Sequence, residues 1–371
     1  MISTATMKAT ISRKQLVELI GRIQSVVAPK PAIPALGNLL IEAANDELII
    51  SVTDLTISMR IYMDATVDAE GAIALPARRS FQLLRELTTS DLTIECGAAE
   101  IAHIHAGSSQ FKMNGMHKSE FPDFPDMGEG KTFSLKSKDL HEMLSKTSFA
   151  CARDDSRHVL NGLLMEIANG NLTFIGTDGK RLAKIFAPLS DSTDFTTKMI
   201  LPLKAVEEMN KILDLDEEAK LTIYDDRVAL EVGHATLITK LIAGDFPDVE
   251  RVIPAQDQAK KIILHREELM TLLRQTALFT SDSVNSVRFH FSDGEVELFA
   301  ASGEIGEGKV SMPVDYHGDK IEVAFNPHVL LNILRHLSGE TFTFSLIDAF
   351  NPGLLTDKSN ALFVVMPMRL N

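Results

Sequence analysis

The chain has 371 residues, is 45% hydrophobic and 24% charged, and carries two cysteines and a net charge of −14 at pH 7. It is long enough for two or three cores, and the composition excludes a disulfide scaffold, a disordered chain and, with no apolar run near the roughly 18 residues of a membrane span, a helical membrane protein. The acidic balance opposes simple attraction to a polyanion. Cys96 and Cys151 show no metal-like spacing and fit a reducing cytoplasm. Residues 1–10 are polar and run into Arg13 and Lys14, without the apolar core of a secretion signal.

The first predicted helix follows Ser12, a candidate start, with Leu16, Leu19, Ile20 and Ile23 at helical spacing. Residues 36–54 then place two apolar, β-branched runs around Asn45-Asp46, a strong hairpin signal. A short strand at 73–76 leads through Pro76 into a helix at 81–87, strands follow over 99–113, and residues 120–125 form a Phe-Pro-Asp turn. The whole pattern returns 124 residues on. Residues 135–144 match the first helix, with Ser137 as its start, and residues 160–178 repeat the hairpin around Asn169-Gly170. Leu39, Leu40, Glu42, Ala44, Asn45, Leu48, Thr53 and Asp54 recur there as identical residues. Residues 200–202 lead into a helix at 206–213, strands span 227–243, and 245–248 repeat the turn.

A third copy has its helix at 264–273 and its hairpin from Val284 around Asp293-Gly294. A strand into a helix at 329–337 follows, then strands over 342–370. The chain therefore reads as three duplicated α+β domains of about 120 residues, 1–128, 129–256 and 257–371, each a helix pair against antiparallel sheet.

Few motifs point to catalysis. Gly303, Gly308 and Lys309 have phosphate-loop spacing, but Val310 stands where a Ser or Thr would bind magnesium, so a turn between strands is expected. His103 and His105 alternate on one strand face with no third ligand nearby. Asp178 of the Thr-Asp-Gly-Lys-Arg-Leu stretch recurs as Asp54 and reads as structural, whereas Lys180 and Arg181 belong to the second copy alone. A hydrolase or transferase using Asp178 and Lys180 is one rival reading, and a protein-only scaffold is another. No cofactor and no metal are expected. Basic residues recur on all six predicted helices, among acids, and point to a shared basic surface in an acidic molecule.

The threefold repeat, the Leu-Gly-Asn-Leu-Leu at 36–40, the Thr-Asp-Gly-Lys-Arg-Leu-Ala at 177–183, the Asp-Phe-Pro-Asp at 245–248 and the terminal Val-Val-Met-Pro-Met-Arg-Leu at 364–370 together resemble the bacterial sliding clamps. These are the β subunits of DNA polymerase III. The resemblance covers the chain from about Met7 and leaves residues 1–6 and Asn371 as short extensions. It implies a head-to-tail homodimeric ring that encircles duplex DNA without reading bases, is opened by a clamp loader, and tethers the polymerase III α subunit and other proteins through a short peptide motif.

By the same resemblance, the peptide pocket comprises Arg157, Leu160, Thr177, Gly179, Lys180, Arg181, Leu182, Pro247, Arg251, Val252, Val364, Val365, Met366, Pro367, Met368 and Arg369. His158 and Val159 stand where relatives often carry an aromatic. Lys30 and Arg153 match DNA-contacting loops, and Arg78, Arg85, Lys146, Lys204, Lys211 and Arg274 are expected to line the channel. The subunit interface is expected to join the strand at Phe111, Lys112 and Met113 to one over 304–310, beside Leu278 and Phe279. Arg79 and Lys112 would face Glu304 and Glu307, a thin set of charge pairs.

Overall fold

The computed structural model describes residues 7–97, 99–189, 195–255, 257–281 and 285–369. The expectations at residues 1–6, Gln256, Val284, Leu370 and Asn371 lie outside them.

The first copy runs β1 (Met7–Ser12), α1 (Arg13–Ile23), β2 (Asn38–Ala44), β3 (Glu47–Thr53), β4 (Ile57–Asp64), β5 (Thr66–Ala69), β6 (Gly71–Pro76), α2 (Ala77–Glu86), β7 (Asp91–Cys96), β8 (Ile101–Ala106) and β9 (Ser109–Asn114). The second runs β10 (Lys131–Lys136), α3 (Ser137–Ser148), β11 (Gly162–Ala168), β12 (Asn171–Thr177), β13 (Arg181–Pro188), β14 (Thr197–Pro202), α4 (Leu203–Ile212), β15 (Glu218–Ile223), β16 (Arg227–Val232) and β17 (Ala235–Lys240). The third has β18 (Lys260–His265), α5 (Arg266–Ala277), β19 (Val287–Ser292), β20 (Glu295–Ser302), β21 (Gly306–Pro313), β22 (Ile321–Phe325), α6 (Pro327–His336), β23 (Thr341–Leu346), β24 (Gly353–Thr356) and β25 (Ala361–Val365). The repeat expected from the sequence holds, with β5 as an addition in the first copy.

The hairpin dipeptides do the work their chemistry suits. Asn45 and Asp46 have φ of 52° and 57°, and Asn169 and Gly170 have 51° and 71°. Two consecutive positive φ values match the right-handed twist of the flanking strands. In the third hairpin only Gly294 takes positive φ.

The helix starts differ from expectation. Ser12 precedes α1 but makes no side-chain cap, and Ser137 is the first residue of α3 with its Oγ buried and unpartnered among the described residues. A working cap sits on α6, where Asn326 Oδ1 accepts from His328 N and Val329 N and Pro327 occupies the first turn. The second helix of each copy also begins earlier than its apolar spacing indicated. Pro76 and Pro202 end their strands, and helix follows at once.

The three copies are gathered into two compact units. One contains residues up to His141 with Lys204–Leu241, and the other contains Glu142–Leu203 with residues from Ile242 onward. The cause lies in the sheets. In the first unit an eight-stranded sheet runs β10-β15-β16-β17-β4-β3-β2-β6, so β17 of the second copy pairs with β4 of the first. In the second unit the order β14-β11-β12-β13-β25-β24-β23-β18 joins β13 of the second copy to β25 of the third. The middle copy is divided because its strands complete its neighbours' sheets. Smaller sheets, β5-β1-β7-β8-β9 and β21-β20-β19-β22, accompany them.

Helices pack on the sheets. α1 buries Leu16, Ile20 and Ile23, the expected apolar stripe apart from half-buried Leu19. The core of the third copy is aromatic, with Phe325 edge-on to Phe289 at 5.7 Å and beside Phe344 at 5.5 Å.

Candidate functional site

The Thr-Asp pair is a turn device in both copies that carry it. Asp54 Oδ1 accepts from Thr56 N (3.0 Å) and Ile57 N (2.7 Å), and Asp178 Oδ1 accepts from Lys180 N (2.9 Å) and Arg181 N (3.1 Å). Thr53 Oγ1 donates to Ile57 O and Thr177 Oγ1 to Arg181 O, while Leu55 N and Gly179 N donate to those same hydroxyls. Both carboxylates are committed to holding backbone, which removes the observation behind a catalytic Asp178. The turn demands positive φ at its third residue, 83° at Gly179 and 73° at Leu55. Gly179 meets that demand without strain. Behind it, a Cβ would also crowd the Arg157 guanidinium.

The turn delivers the start of β13 to β25. Arg181 pairs with Val365 and Leu182 with Val364, and Met366 N donates to Lys180 O at 2.9 Å. Leu182 and Val364 join Leu164, Ile175, Ile200, Val249 and Leu354 in one apolar cluster, with Val159, Ile242, Phe246, Val252, Ile253 and Leu362 packed against it. Of the residues expected to form a pocket, Leu160, Thr177, Leu182, Val364 and Val365 are buried. Val252, Pro367, Met368 and Arg181 are half-buried, and Arg157, Gly179, Lys180, Pro247, Arg251, Met366 and Arg369 are exposed. Met368 is fixed by its N–H to Ala324 O at 2.7 Å. Sequence reasoning missed Val249, Phe246, Ile175 and Ile200. The Ile175 and Ile200 signal was available, since strand alternation puts them on Leu182's face of the sheet.

Two arginines stand beside this turn. Arg157 clamps Asp155 through Nε (3.0 Å) and Nη2 (2.9 Å), and these bonds lower the Asp155 carboxyl to about 2. Arg181 Nε holds Asp178 Oδ2 at 3.1 Å, its guanidinium lies 5.3 Å over the Phe149 ring, and its Nη1 is buried with no partner among the described residues. Phe149 is in turn stacked on His336, with centroids 3.9 Å apart and planes within 5°. His336 Nδ1 bonds Asn332 O at 2.7 Å.

Burial depresses the His336 imidazole below its ordinary range. The Asn332 carbonyl opposes this, and Arg181, Arg335 and Lys146 reinforce it. The unfolded imidazole takes up its proton near pH 6.5 while the folded one resists it. This contribution to stability is complete above that value and is lost as pH falls through 6.5 towards the folded pKa. Urea midpoints at pH 7.5 and 5.5 should therefore separate more for the unaltered chain than for His336→Phe. Equal separations would count against the effect.

The basic residues divide sharply. Lys30, Arg78 and Arg153 are exposed; so are Arg85, 5.6 Å over Phe81, and Arg274, bonded to Thr271 Oγ1. Lys204 bonds Asp54 Oδ2 (2.7 Å) and Val26 O (2.9 Å), and Lys211 bonds Glu208 and Ser25. Lys146 corrects the sequence reading. Its side chain is only 8% exposed, and its ammonium is held by Ser338, Ser359, Glu142 and Asp357, so it does not stand available to a phosphate.

Each of the four sheets ends in two edge strands, and β9 and β21 are two of these edges. Phe111, Lys112 and Met113 lie on β9, with Arg79 exposed on α2. Glu307 lies on β21, but Glu304 sits in the turn before it, its N–H on Ser302 Oγ. The Phe279 ring rests directly on Gly308, where any side chain would collide with it, and Leu278 beside it is 73% exposed.

Models of the DNA polymerase III beta subunit match the chain throughout: the N-terminal domain over residues 7–125, the central domain over 134–248 and the C-terminal domain over 250–369. The chain is 47% identical over 365 residues to the beta sliding clamp of Chlamydia pneumoniae, covering 98% of this chain and 100% of that one. It is 31% identical to the beta sliding clamp of Vibrio cholerae, with 98% and 100% coverage. Among solved structures, the sliding clamp of Pseudomonas aeruginosa bound to griselimycin superposes with a TM-score of 0.93 at 28% identity, covering 98% of this chain and 100% of that one. Three α+β copies fused through shared sheets thus define a DNA sliding clamp, a class of non-catalytic subunit. The chain belongs to the DNA polymerase III β subunit family. Among the described residues, no helix is long and apolar enough to cross a membrane.

Proposed function

We propose that two copies of the chain close head to tail around duplex DNA, with β9 of one protomer adding to β21 of its partner. The observation that carries this is the exposed Leu278 and the Phe279–Gly308 contact beside the β21 edge, with β9 an edge strand of the other unit. An unpaired edge is a template for another strand. Arg79 and Lys112 against Glu304 and Glu307 add charge pairs at the rim, where each contributes little. Lys30, Arg153, Arg78, Arg85, Lys204, Lys211 and Arg274 face phosphates without reading bases, and Lys146 is left out because it is buried as well as paired, whereas Lys204 and Lys211 keep 44% of their side chains exposed.

The groove floored by Leu160, Leu182, Val364 and the Val249 cluster, and rimmed by Arg157, Gly179, Lys180, Pro247, Arg251, Met366 and Arg369, takes short extended peptides from the clamp loader, the polymerase III α subunit and other replication proteins in the cytoplasm. An apolar trough with a few fixed polar groups suits that task. Leu278→Asp tests ring closure. It places a charge on an exposed side chain, so folding should survive while dimer affinity falls about 100-fold and processive synthesis falls with it. Sedimentation velocity across a dilution series reads the first effect. Unchanged dimerisation would remove this edge from the interface.

A further inference from the structure

Leu182, Lys184 and Phe186 alternate onto the outer face of β13, the face that forms the apolar groove. Strand pairing fixes what lies beside each. Leu182 sits between Thr177 and Val364, Lys184 between Ile175 and Leu362, and Phe186 across from Thr173. Leu362 packs against the groove cluster, so the apolar surface already extends one step along the strand beyond Leu182. The Lys184 ammonium is drawn aside to Glu250, leaving the aliphatic stem of the side chain in the row. Phe186 is the next residue on that face, beyond Lys184, and is 45% exposed, a large ring left standing in water.

The first copy shows that this surface is not a by-product of the repeat. There, Ser51 and Ser58 occupy the positions of Ile175 and Leu182. Arg60, in place of Lys184, donates to Ser51 Oγ and lies 4.1 Å under the Phe124 ring. Tyr62, the counterpart of Phe186, is half-buried and pairs across from Ile49.

We propose that the docking surface continues out of the groove along β13 to Phe186, which receives an apolar or aromatic side chain flanking the docked motif of the same peptide partner. This rests on the reading of the groove as a peptide site. Phe186 lies four positions beyond Leu182, about 13 Å of extended chain, so the partner residue lies about four positions beyond the one seated on Leu182. The surface thus selects among partners by their flanking sequence, adding affinity where the flank is apolar.

The test uses the full chain and a synthetic peptide copying the clamp-docking segment of its own replicative polymerase. The peptide is made in a minimal form and in forms extended by four residues at either end, terminating in phenylalanine or in serine. Fluorescence anisotropy should show one phenylalanine-ended form binding about five- to tenfold tighter than its serine-ended twin. Phe186→Ser should abolish that difference and leave the minimal peptide unaffected, Phe186→Tyr should retain it, and Met366→Ala should weaken every form. A phenylalanine preference that survives Phe186→Ser, or no preference at all, overturns the extension while the groove stands. Failure of the minimal peptide to bind the unaltered chain overturns the groove, and the extension with it.

Discussion

Loaded onto nicked circular DNA by a clamp loader with ATP, the chain should remain bound through gel filtration, and cutting the circle once should shorten its retention at least about tenfold. Direct attraction cannot hold it. The chain carries a net charge of −14, and the basic side chains the sequence offered for DNA include several already paired within the chain. Lys204 is held by Asp54, Lys211 by Glu208, and Lys146 is buried against Asp357 and two serines. Phosphate neutralisation is what makes ordinary DNA binding tight and salt-dependent, whereas a closed ring is retained on a circle without it. Retention on the circle should accordingly change little between low and moderate salt. Equal retention on circular and linear DNA would mean that surface contacts suffice, and would overturn encirclement.

Arg181→Ala should weaken docking of the polymerase peptide about 30-fold, roughly 2 kcal/mol, with the fold intact. Arg181 is fixed from three directions: its backbone pairs with Val365, its Nε holds Asp178, and its plane lies over Phe149, which His336 backs. The ordering that a free arginine would undergo on binding is therefore already complete. One donor, Nη1, remains buried without a partner among the described residues. A peptide carbonyl or carboxylate reaching it would relieve a buried unsatisfied group. Arg181→Lys should not restore affinity, since an ammonium can neither stack nor bond as a planar fork. Titration with the minimal peptide decides it, and an unchanged affinity for Arg181→Ala would place the recognition elsewhere.

Much of this was legible in the residues. Asn45-Asp46 and Asn169-Gly170 specify tight hairpins because few dipeptides accept two positive φ values, and the 124-residue offset exposes the duplication. Comparison of Asp54 with Asp178 marks the carboxylate as a turn fixture before any distance is known. These are local properties, decided by dihedral preference and strand or helix period over a few residues.

What the tertiary structure alone decided involves partners far apart in the chain. The sequence shows three copies, but only strand pairing of β17 with β4 and β13 with β25 makes two compact units of them. Lys146 reads as a surface cation beside Glu142, and it is Asp357 and Ser359, some two hundred residues away, that remove it from solvent. Arg181, Phe149 and His336 share no motif, yet they form one stack because β13 and the ends of α3 and α6 pack together there. Burial and charge pairing of this kind depend on which distant segments the folded core brings within a few ångströms, and no local pattern encodes that.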